Sequence, residues 1–252
     1  MIGGMPVDFG RTAQDYAAYR TAFPPELFTR LAAMDVGLPG HRVVDLGTGT
    51  GALARGFAAA GCAVTGVDIA PELLAEARKQ NQDVTYRVAP AEDTGLPAHA
   101  WDVVSAGQCW HWFDRPKAAR EVRRLLAPGG AVAICHRDYV VLPGNVCDVS
   151  EELVLAHNPA WPMAGGTGIH AAWTVDLGAA GFRDLETFSF DIAVPFTHEA
   201  WLGRMRSCNG VGARLPAAEV AAYDADLAAV LRERFPEPLV VPHRIWALVA
   251  TV

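Results

Sequence analysis

A glycine-rich turn between an apolar run and an alanine-rich segment constrains the fold of this chain most. Residues 43–51 read Val-Val-Asp-Leu-Gly-Thr-Gly-Thr-Gly. The β-branched start predicts a strand, and the glycines predict a tight turn that opens a helix over residues 51–60. Glycine lets a ligand lie against the backbone, and the free N–H groups of the helix terminus face that ligand. The turn therefore predicts a nucleotide-type ligand site at the edge of a sheet.

Strands and helices alternate around this turn. The first strand is expected over residues 42–46. We expect further strands at residues 63–69, 84–88, 101–106 and 131–135, and helices at residues 71–80 and 115–126. Strands separated by helices of this length form βαβ units with right-handed crossovers and a parallel sheet.

The rest of the chain is interpreted as parts of a single domain over residues 1–252. Residues 1–38 predict an N-terminal helical cap, with helices at about 12–19 and ending at about Met34. Residues 139–173 are rich in proline and glycine and too short to enclose a core of their own, so we expect an inserted flap over the acceptor site. The pattern then resumes with a helix at 175–180, a strand at 184–194, helices at 198–206 and 217–234, and a strand at 244–252.

Composition excludes several classes of protein. Hydrophobic residues make up 51% of the chain and charged residues 19%, which is sufficient for a buried core. The net charge is −7 and basic residues are scattered, so no nucleic-acid partner and no anionic membrane partner is expected. Five cysteines without a CxxC pair suggest a reducing cytoplasm and no structural zinc. We expect neither a signal peptide nor a membrane span.

Two aspartates narrow the ligand class. Asp68 ends the second strand, 17 residues after Gly51, where an acid can accept hydrogen bonds from both ribose hydroxyls. The pattern Gly47-x-Gly49-x-x-Ala52 also fits dinucleotide sites. Asp45, two residues before the first glycine, favours a ligand with a sulfonium and an ammonium over one with a pyrophosphate, because opposite charges attract. S-adenosylmethionine is therefore the expected cofactor.

The same residues resemble a known family. Residues 45–51, Val67-Asp68, residues 91–97 followed by 101–104, and residues 125–130 match, in order, motifs of the class I S-adenosylmethionine-dependent methyltransferases with a short "methyltransferase 11" type core. The resemblance implies a Rossmann-like α/β fold. Its sheet has seven mostly parallel strands, an antiparallel last strand at residues 244–252, and helices on both faces.

The resemblance also implies donor-binding residues. Asp68 is expected to hold the ribose. The other residues implied in donor binding are Asp45, Gly47, Thr48 and Gly49 in the loop, Ile69, Ala91 and Glu92 at the adenine edge, and Gln108 at the methionine end.

A narrower resemblance concerns residues 16–24 and 108–114, which are similar to the trans-aconitate methyltransferase-like branch. It implies that Arg20 pairs with the donor's carboxylate in bidentate fashion and that Tyr16 packs over the donor. The branch also favours a carboxylate as the methyl acceptor.

Residues that follow the fourth and fifth strands are the candidates for acceptor binding, because ligands of open α/β sheets gather at the carboxyl ends of the strands. His111 is the candidate catalytic residue, as a base or as a group that orients the acceptor. The expected acceptor contacts are Trp110, Trp112, His136 and, in the flap, Trp161. No spacing of ligands indicates a metal.

The sequence predicts a cytoplasmic enzyme, a monomer or homodimer, that methylates an oxygen or nitrogen of a small molecule. Two alternatives remain open from the residues alone. One is an NAD(P)-dependent oxidoreductase that uses the same loop, and the other is a non-catalytic adenosyl-binding module.

Overall fold

The computed structural model describes residues 22–252. The predicted helix at residues 12–19 and the candidates Tyr16 and Arg20 therefore lie outside the described residues. Within residues 22–252, no helix is long and apolar enough to cross a bilayer.

Seven strands form one sheet in the order β3-β2-β1-β4-β5-β7-β6. The strands are β1 (Arg42–Leu46), β2 (Ala63–Asp68), β3 (Thr85–Val88), β4 (Trp101–Gly107), β5 (Leu126–Tyr139), β6 (Arg183–Phe196) and β7 (Leu239–Thr251). β1 pairs in parallel with β2 and β4, β2 with β3, and β4 with β5. The sheet is mostly parallel with an antiparallel end, which confirms the predicted fold class.

Eight helices accompany the sheet in the described residues. They are α1 (Pro25–Ala32), α2 (Ala52–Ala59), α3 (Pro71–Gln80), α4 (Arg115–Leu125), α5 (Val146–His157), α6 (Ala172–Ala179), α7 (His198–Arg206) and α8 (Ala217–Arg234). Proline in the first turn of α1, α3 and α4 supplies a backbone angle suited to a helix start. Asp114 caps α4 by accepting a hydrogen bond from Lys117 N at 3.3 Å.

The described chain divides into two compact units. The sheet unit comprises residues 22–137, 170–190 and 245–252. Its core is formed by apolar residues of the strands and of α4, such as Val44, Leu46 and Val104 in the strands and Val122 and Leu125 in the helix. It contains every described residue that was predicted to bind the donor.

The second unit comprises, of the described residues, 138–169 and 191–244. α5 and α7 both pack on α8, and Trp201 and Tyr223 are fully buried among them. The segment that we interpreted as a flap thus shares a core with α7 and α8. The single-domain organisation and the position of residues 139–173 over the acceptor stay predictions.

Candidate functional site

The glycine loop adopts the conformation that its sequence predicts. Gly47, Gly49 and Gly51 have φ angles of +61°, +55° and +80°, in the left-handed region that side chains disfavour. Thr48 N donates to Val67 O at 3.0 Å, which joins the loop to β2. A Cβ atom on Gly49 would meet no atom within 4 Å, so open space lies beside the backbone at this residue.

Asp68 lies at the end of β2, beside the glycine loop. Its Oδ2 accepts a hydrogen bond from Gly49 N at 2.8 Å, and its Oδ1 accepts one from Ala70 N at 2.9 Å. Burial raises the pKa of Asp68, and the backbone hydrogen bonds oppose that rise. The carboxylate that is expected to hold a ribose thus also fixes the second glycine of the loop.

Asp45 stabilises the glycine loop through a hydrogen bond with Thr48. It is 1% exposed, and its two oxygens accept hydrogen bonds from Thr48 Oγ1 and Ser105 Oγ, both at 2.7 Å. The expectation that Asp45 meets a ligand directly needs correction, because the carboxylate is enclosed and already bonded to two hydroxyls. The Thr48 hydroxyl is likewise turned toward Asp45, so the side chain of Thr48 supports the loop. Any attraction between Asp45 and a cationic ligand acts through its charge rather than through contact.

Burial raises the pKa of Asp45 to about 6, because loss of water disfavours the charged form more than the two hydroxyl hydrogen bonds favour it. The pKa of an aspartate in the unfolded chain is about 3.9, so the folded protein retains the Asp45 proton to higher pH than the unfolded chain does. Retention of this proton by Asp45 adds to the free energy of unfolding. The contribution is fully present below about pH 4 and is lost as pH rises through about 6.

We expect Asp45→Asn to remove this pH dependence. The free energy of unfolding of the wild type, minus that of the variant, should fall by about 2 kcal/mol between pH 4 and pH 7. Urea unfolding of both proteins at four pH values in this range measures the difference. A difference that does not change with pH would show that Asp45 titrates alike in the folded and unfolded states.

The residues predicted to line the adenine lie at the ends of β2 and β3 and just after them. Ile69 is 70% exposed, as a side chain that packs on a ligand can be. Val88 is 54% exposed and pairs in register with Asp68, although the sequence did not single it out. Ala91 is buried, and one carboxylate oxygen of Glu92 accepts a hydrogen bond from Asp114 N at 2.8 Å. Glu92 therefore connects this edge to the start of α4.

Gln108 and Cys109 follow β4 directly. Gln108 has a φ angle of +63°, which is uncommon for a residue other than glycine. Its side-chain amide donates a hydrogen bond to Arg137 O at the end of β5. Cys109 Sγ donates to Leu46 O at 3.1 Å, at the end of β1.

Six aromatic rings of the sheet unit form a contiguous group, which we call the imidazole–indole cluster. Its members are His111, Trp112, His136, His170, Trp173 and Trp246. Trp173 stacks on His170 with ring centroids 4.1 Å apart and lies 4.9 Å from His136. The rings of His136 and His170 are 4.2 Å apart. Candidates that follow β4 and β5 are thus brought together, as expected.

Sequence reasoning missed part of this cluster. His170 was assigned to the flap, whereas it belongs to the sheet unit, just before α6. Trp173 in α6 and Trp246 in β7 are buried against it and were not proposed as site residues. The short spacing of His170 and Trp173 in the sequence could have indicated that their rings lie together, since His170 comes just before α6 and Trp173 is in its first turn.

Two predicted acceptor contacts need correction. Trp110 has no exposed surface, because it packs in the core and its indole N–H faces Asp176 Oδ2 at 3.4 Å, so we assign it to the core. Trp161 is 6% exposed within the second unit, and its indole N–H donates to Asn209 Oδ1 at 2.8 Å. Trp161 also covers Gly210 so closely that a Cβ there would lie 2.9 Å from the indole. These contacts make Trp161 an anchor of its own unit.

Comparison with known proteins identifies the family. Residues 44–134 match the family described as "Methyltransferase domain". The malonyl-[acyl-carrier protein] O-methyltransferase of Enterobacter lignolyticus is 32% identical over 81% of this chain and 77% of its own length. A methyltransferase of Mycobacterium tuberculosis, itself uncharacterised, is 36% identical over 52% of each protein, so the chain spans about half the length of that relative.

Solved structures agree with the sequence matches. A structure described as a proposed type II methyltransferase from Anaeromyxobacter dehalogenans has a TM-score of 0.66 and 27% identity, covering 92% of this chain and 97% of the other. Phosphoethanolamine N-methyltransferase 2 of Haemonchus contortus, solved with S-adenosyl-L-methionine, shares the fold, with a TM-score of 0.53 and 19% identity over 96% of this chain and 56% of the other.

The fold and the glycine-loop site define a Rossmann-like methyltransferase. The chain belongs to the class I S-adenosylmethionine-dependent methyltransferase family. The matched domain is that of the methyltransferases, which decides against the oxidoreductase.

Proposed function

We propose that this chain binds S-adenosylmethionine on the Gly47–Gly51 loop and transfers its methyl group to an oxygen or nitrogen atom of a small molecule. The observation that carries the proposal is the open face of Gly49 beside the Asp68 carboxylate. In this arrangement a ribose can donate its hydroxyls to Asp68 while the rest of the donor lies along the glycine backbone.

The remaining donor contacts follow from the order of the strands. The adenine lies toward Ile69 and the backbone of Ala91 and Glu92, because β2 and β3 end there. The methionine end runs past Gly47 toward Gln108, since β4 is the neighbour of β1 on the other side. Arg20 and Tyr16 stay predicted contacts of the donor's carboxylate end.

The charge of the loop region supports a cationic donor. Asp45 is mainly ionised at pH 7, since its pKa is about 6, and Asp68 adds a second carboxylate at the next strand. Negative charge beneath the loop attracts the sulfonium and ammonium groups of S-adenosylmethionine and repels a pyrophosphate. The supporting role of Asp45 is therefore electrostatic.

The acceptor lies at the imidazole–indole cluster, at the carboxyl ends of β4 and β5. Methyl transfer requires the donor methyl and the acceptor atom to be held in line and away from water. His111 and Trp112 are both partly exposed on the cluster, so they are positioned to contact an acceptor. The Enterobacter relative is named for methylation of an oxygen on a malonyl group, which favours an oxygen acceptor, a carboxylate among others, here.

We expect His111→Ala to lower turnover with little change in donor affinity. The imidazole is expected to take a proton from the acceptor or to orient it, which contributes roughly 100-fold or more where a base is needed. Steady-state rates with a working acceptor, together with the dissociation constant of S-adenosylhomocysteine, separate the two effects. Unchanged turnover would remove His111 from the mechanism.

The proposed function is tested by supplying methyl-labelled S-adenosylmethionine with matched small acceptors. The set contains carboxylic acids, phenols and amines of similar size. Labelled product from any class supports methyl transfer, and at a donor concentration well below the dissociation constant its rate should fall about 100-fold in Asp68→Asn. A rate in Asp68→Asn equal to that of the wild type under these conditions would contradict the proposed donor site.

A further inference from the structure

Two consecutive residues, Gln108 and Cys109, connect the ends of three neighbouring strands. β4, which they follow, lies between β1 and β5 in the sheet. Gln108 has a left-handed backbone, with φ at +63°, whereas the φ angle of Cys109 is −133°. A left-handed residue other than glycine is sterically disfavoured and persists only where surrounding contacts hold it. The chain turns sharply here, and the two side chains reach opposite neighbours of β4.

Gln108 reaches β5. Its backbone N–H donates to Cys135 O at 3.0 Å, and its side-chain amide donates to Arg137 O. The residue between these two carbonyls is His136, a member of the imidazole–indole cluster. Gln108 therefore fixes the backbone on both sides of an acceptor-site ring.

Cys109 reaches β1. Its thiol donates to Leu46 O, 3.1 Å away, at the residue that precedes the glycine loop. A Cβ atom on Gly47 would lie 2.8 Å from Cys109 Sγ and 2.9 Å from Cys109 Cβ, so Cys109 fills the space that a side chain at residue 47 would need. Burial raises the pKa of the Cys109 thiol, so its proton is retained and the S–H remains a donor.

We propose that Gln108 and Cys109 act together as positioning residues for methyl transfer. Cys109 sets the start of the donor loop, and Gln108 sets the end of β5 that carries His136. Because the two residues are adjacent, they fix the donor side and the acceptor side of the site relative to one short segment. In-line methyl transfer depends on the relative position of the donor side and the acceptor side, since displacements of about 1 Å reduce rates strongly. The inference rests on the proposed donor site.

The Cys109 contact is tested with three variants of the full chain. Cys109→Ala removes the S–H donor and opens space below Gly47, whereas Cys109→Ser retains a hydroxyl donor. Cys62→Ala is the matched control, because Cys62 is a buried thiol of the same unit whose Sγ donates to Leu38 O at 3.4 Å, away from the loop. Without this bond, of about 1 kcal/mol, the loop has to be ordered by the donor on binding, and that cost corresponds to about fivefold in affinity.

Calorimetric titration with S-adenosylhomocysteine should show about fivefold weaker binding in Cys109→Ala, partial recovery in Cys109→Ser, and no change in Cys62→Ala. Hydrogen exchange of the ligand-free proteins adds a readout that needs no donor. The peptide covering residues 46–51 should exchange faster in Cys109→Ala than in Cys62→Ala. Equal exchange in those two variants, or wild-type affinity in Cys109→Ala, would overturn the inference.

A fourth variant tests Gln108. Gln108→Met keeps the length of the side chain and removes its N–H donors, so exchange in the ligand-free protein should rise around residues 135–137. A Gln108 that only contacts the donor would leave ligand-free exchange unchanged, which would contradict a positioning role. If the wild type itself fails to bind S-adenosylhomocysteine, the proposed function fails, while the exchange data still decide whether the two residues order the loop.

Discussion

Asp68→Asn is expected to weaken S-adenosylhomocysteine binding by about 100-fold. The substitution replaces one acceptor oxygen of the carboxylate with an amide nitrogen, which cannot accept a hydrogen bond from a ribose hydroxyl. It also removes the charge that strengthens the remaining bond. Two charge-assisted hydrogen bonds of at least about 1.5 kcal/mol each give a loss of this size. Calorimetry at pH 7 measures the change in affinity.

Asp83→Asn is the control for this substitution. Asp83 is exposed and follows α3, outside the predicted site, so its variant should bind the ligand as the wild type does. Asp68→Asn also leaves one of the two groups Gly49 N and Ala70 N without an acceptor and gives the other a neutral one, which costs about 1–3 kcal/mol of stability. Binding of the Asp68→Asn protein within threefold of the wild type would show that this carboxylate does not hold the ribose.

Alanine at Gly47 and at Gly49 is expected to produce two different defects. Both residues have positive φ angles, which cost a side chain about 1–2 kcal/mol. At Gly47 the new Cβ also meets Cys109 at 2.8 Å and Phe113 at 3.0 Å, so Gly47→Ala should lower the melting temperature by roughly 10 °C. At Gly49 the Cβ enters open space, so Gly49→Ala should remain folded but bind the donor at least about 10-fold more weakly, because the methyl group occupies donor space.

Gly129→Ala isolates the backbone cost common to these variants. Gly129 has a φ angle of +78° and nothing within 4 Å of a Cβ, and it lies in the first part of β5, away from the glycine loop in sequence. Thermal unfolding and S-adenosylhomocysteine titration of all three variants measure both effects. If Gly49→Ala and Gly129→Ala bind the ligand equally well, the open face of Gly49 is not the donor site.

Local signals in the sequence predicted several elements accurately. The predicted helices at residues 71–80, 198–206 and 217–234 coincide with α3, α7 and α8. α3 has proline in its first turn, and Thr197 caps α7 by accepting a hydrogen bond from Ala200 N. Such signals act within one turn of the chain, so they are visible without tertiary structure.

Strand ends were predicted less well, because they depend on neighbouring strands. β5 was expected over residues 131–135 and extends from Leu126 to Tyr139. Its turn sequence indicated a break, but the pairing with β4 runs across it through a shift in register near Trp101 and Val103. β7 begins at Leu239 rather than at residue 244, since β-strand length is set by its partners.

The glycine loop and its contact with Asp68 could be predicted, because the loop residues are consecutive in sequence and Asp68 ends the next strand. Which tryptophan beside His111 faces the core could not be predicted, since that depends on the short 3-10 turn Trp110–Trp112, which buries Trp110. Trp173 is far from His111 along the chain, and only packing shows their rings stacked 6.4 Å apart. The enclosed position of Asp45 likewise depends on Ser105, which comes from another strand.

The most direct test of the account is calorimetric titration of the wild-type protein with S-adenosylhomocysteine and, separately, with NADH. A site made of Gly47–Gly51 above Asp45 and beside Asp68 predicts micromolar affinity for S-adenosylhomocysteine and no measurable binding of NADH. Binding of NADH without binding of S-adenosylhomocysteine would contradict it.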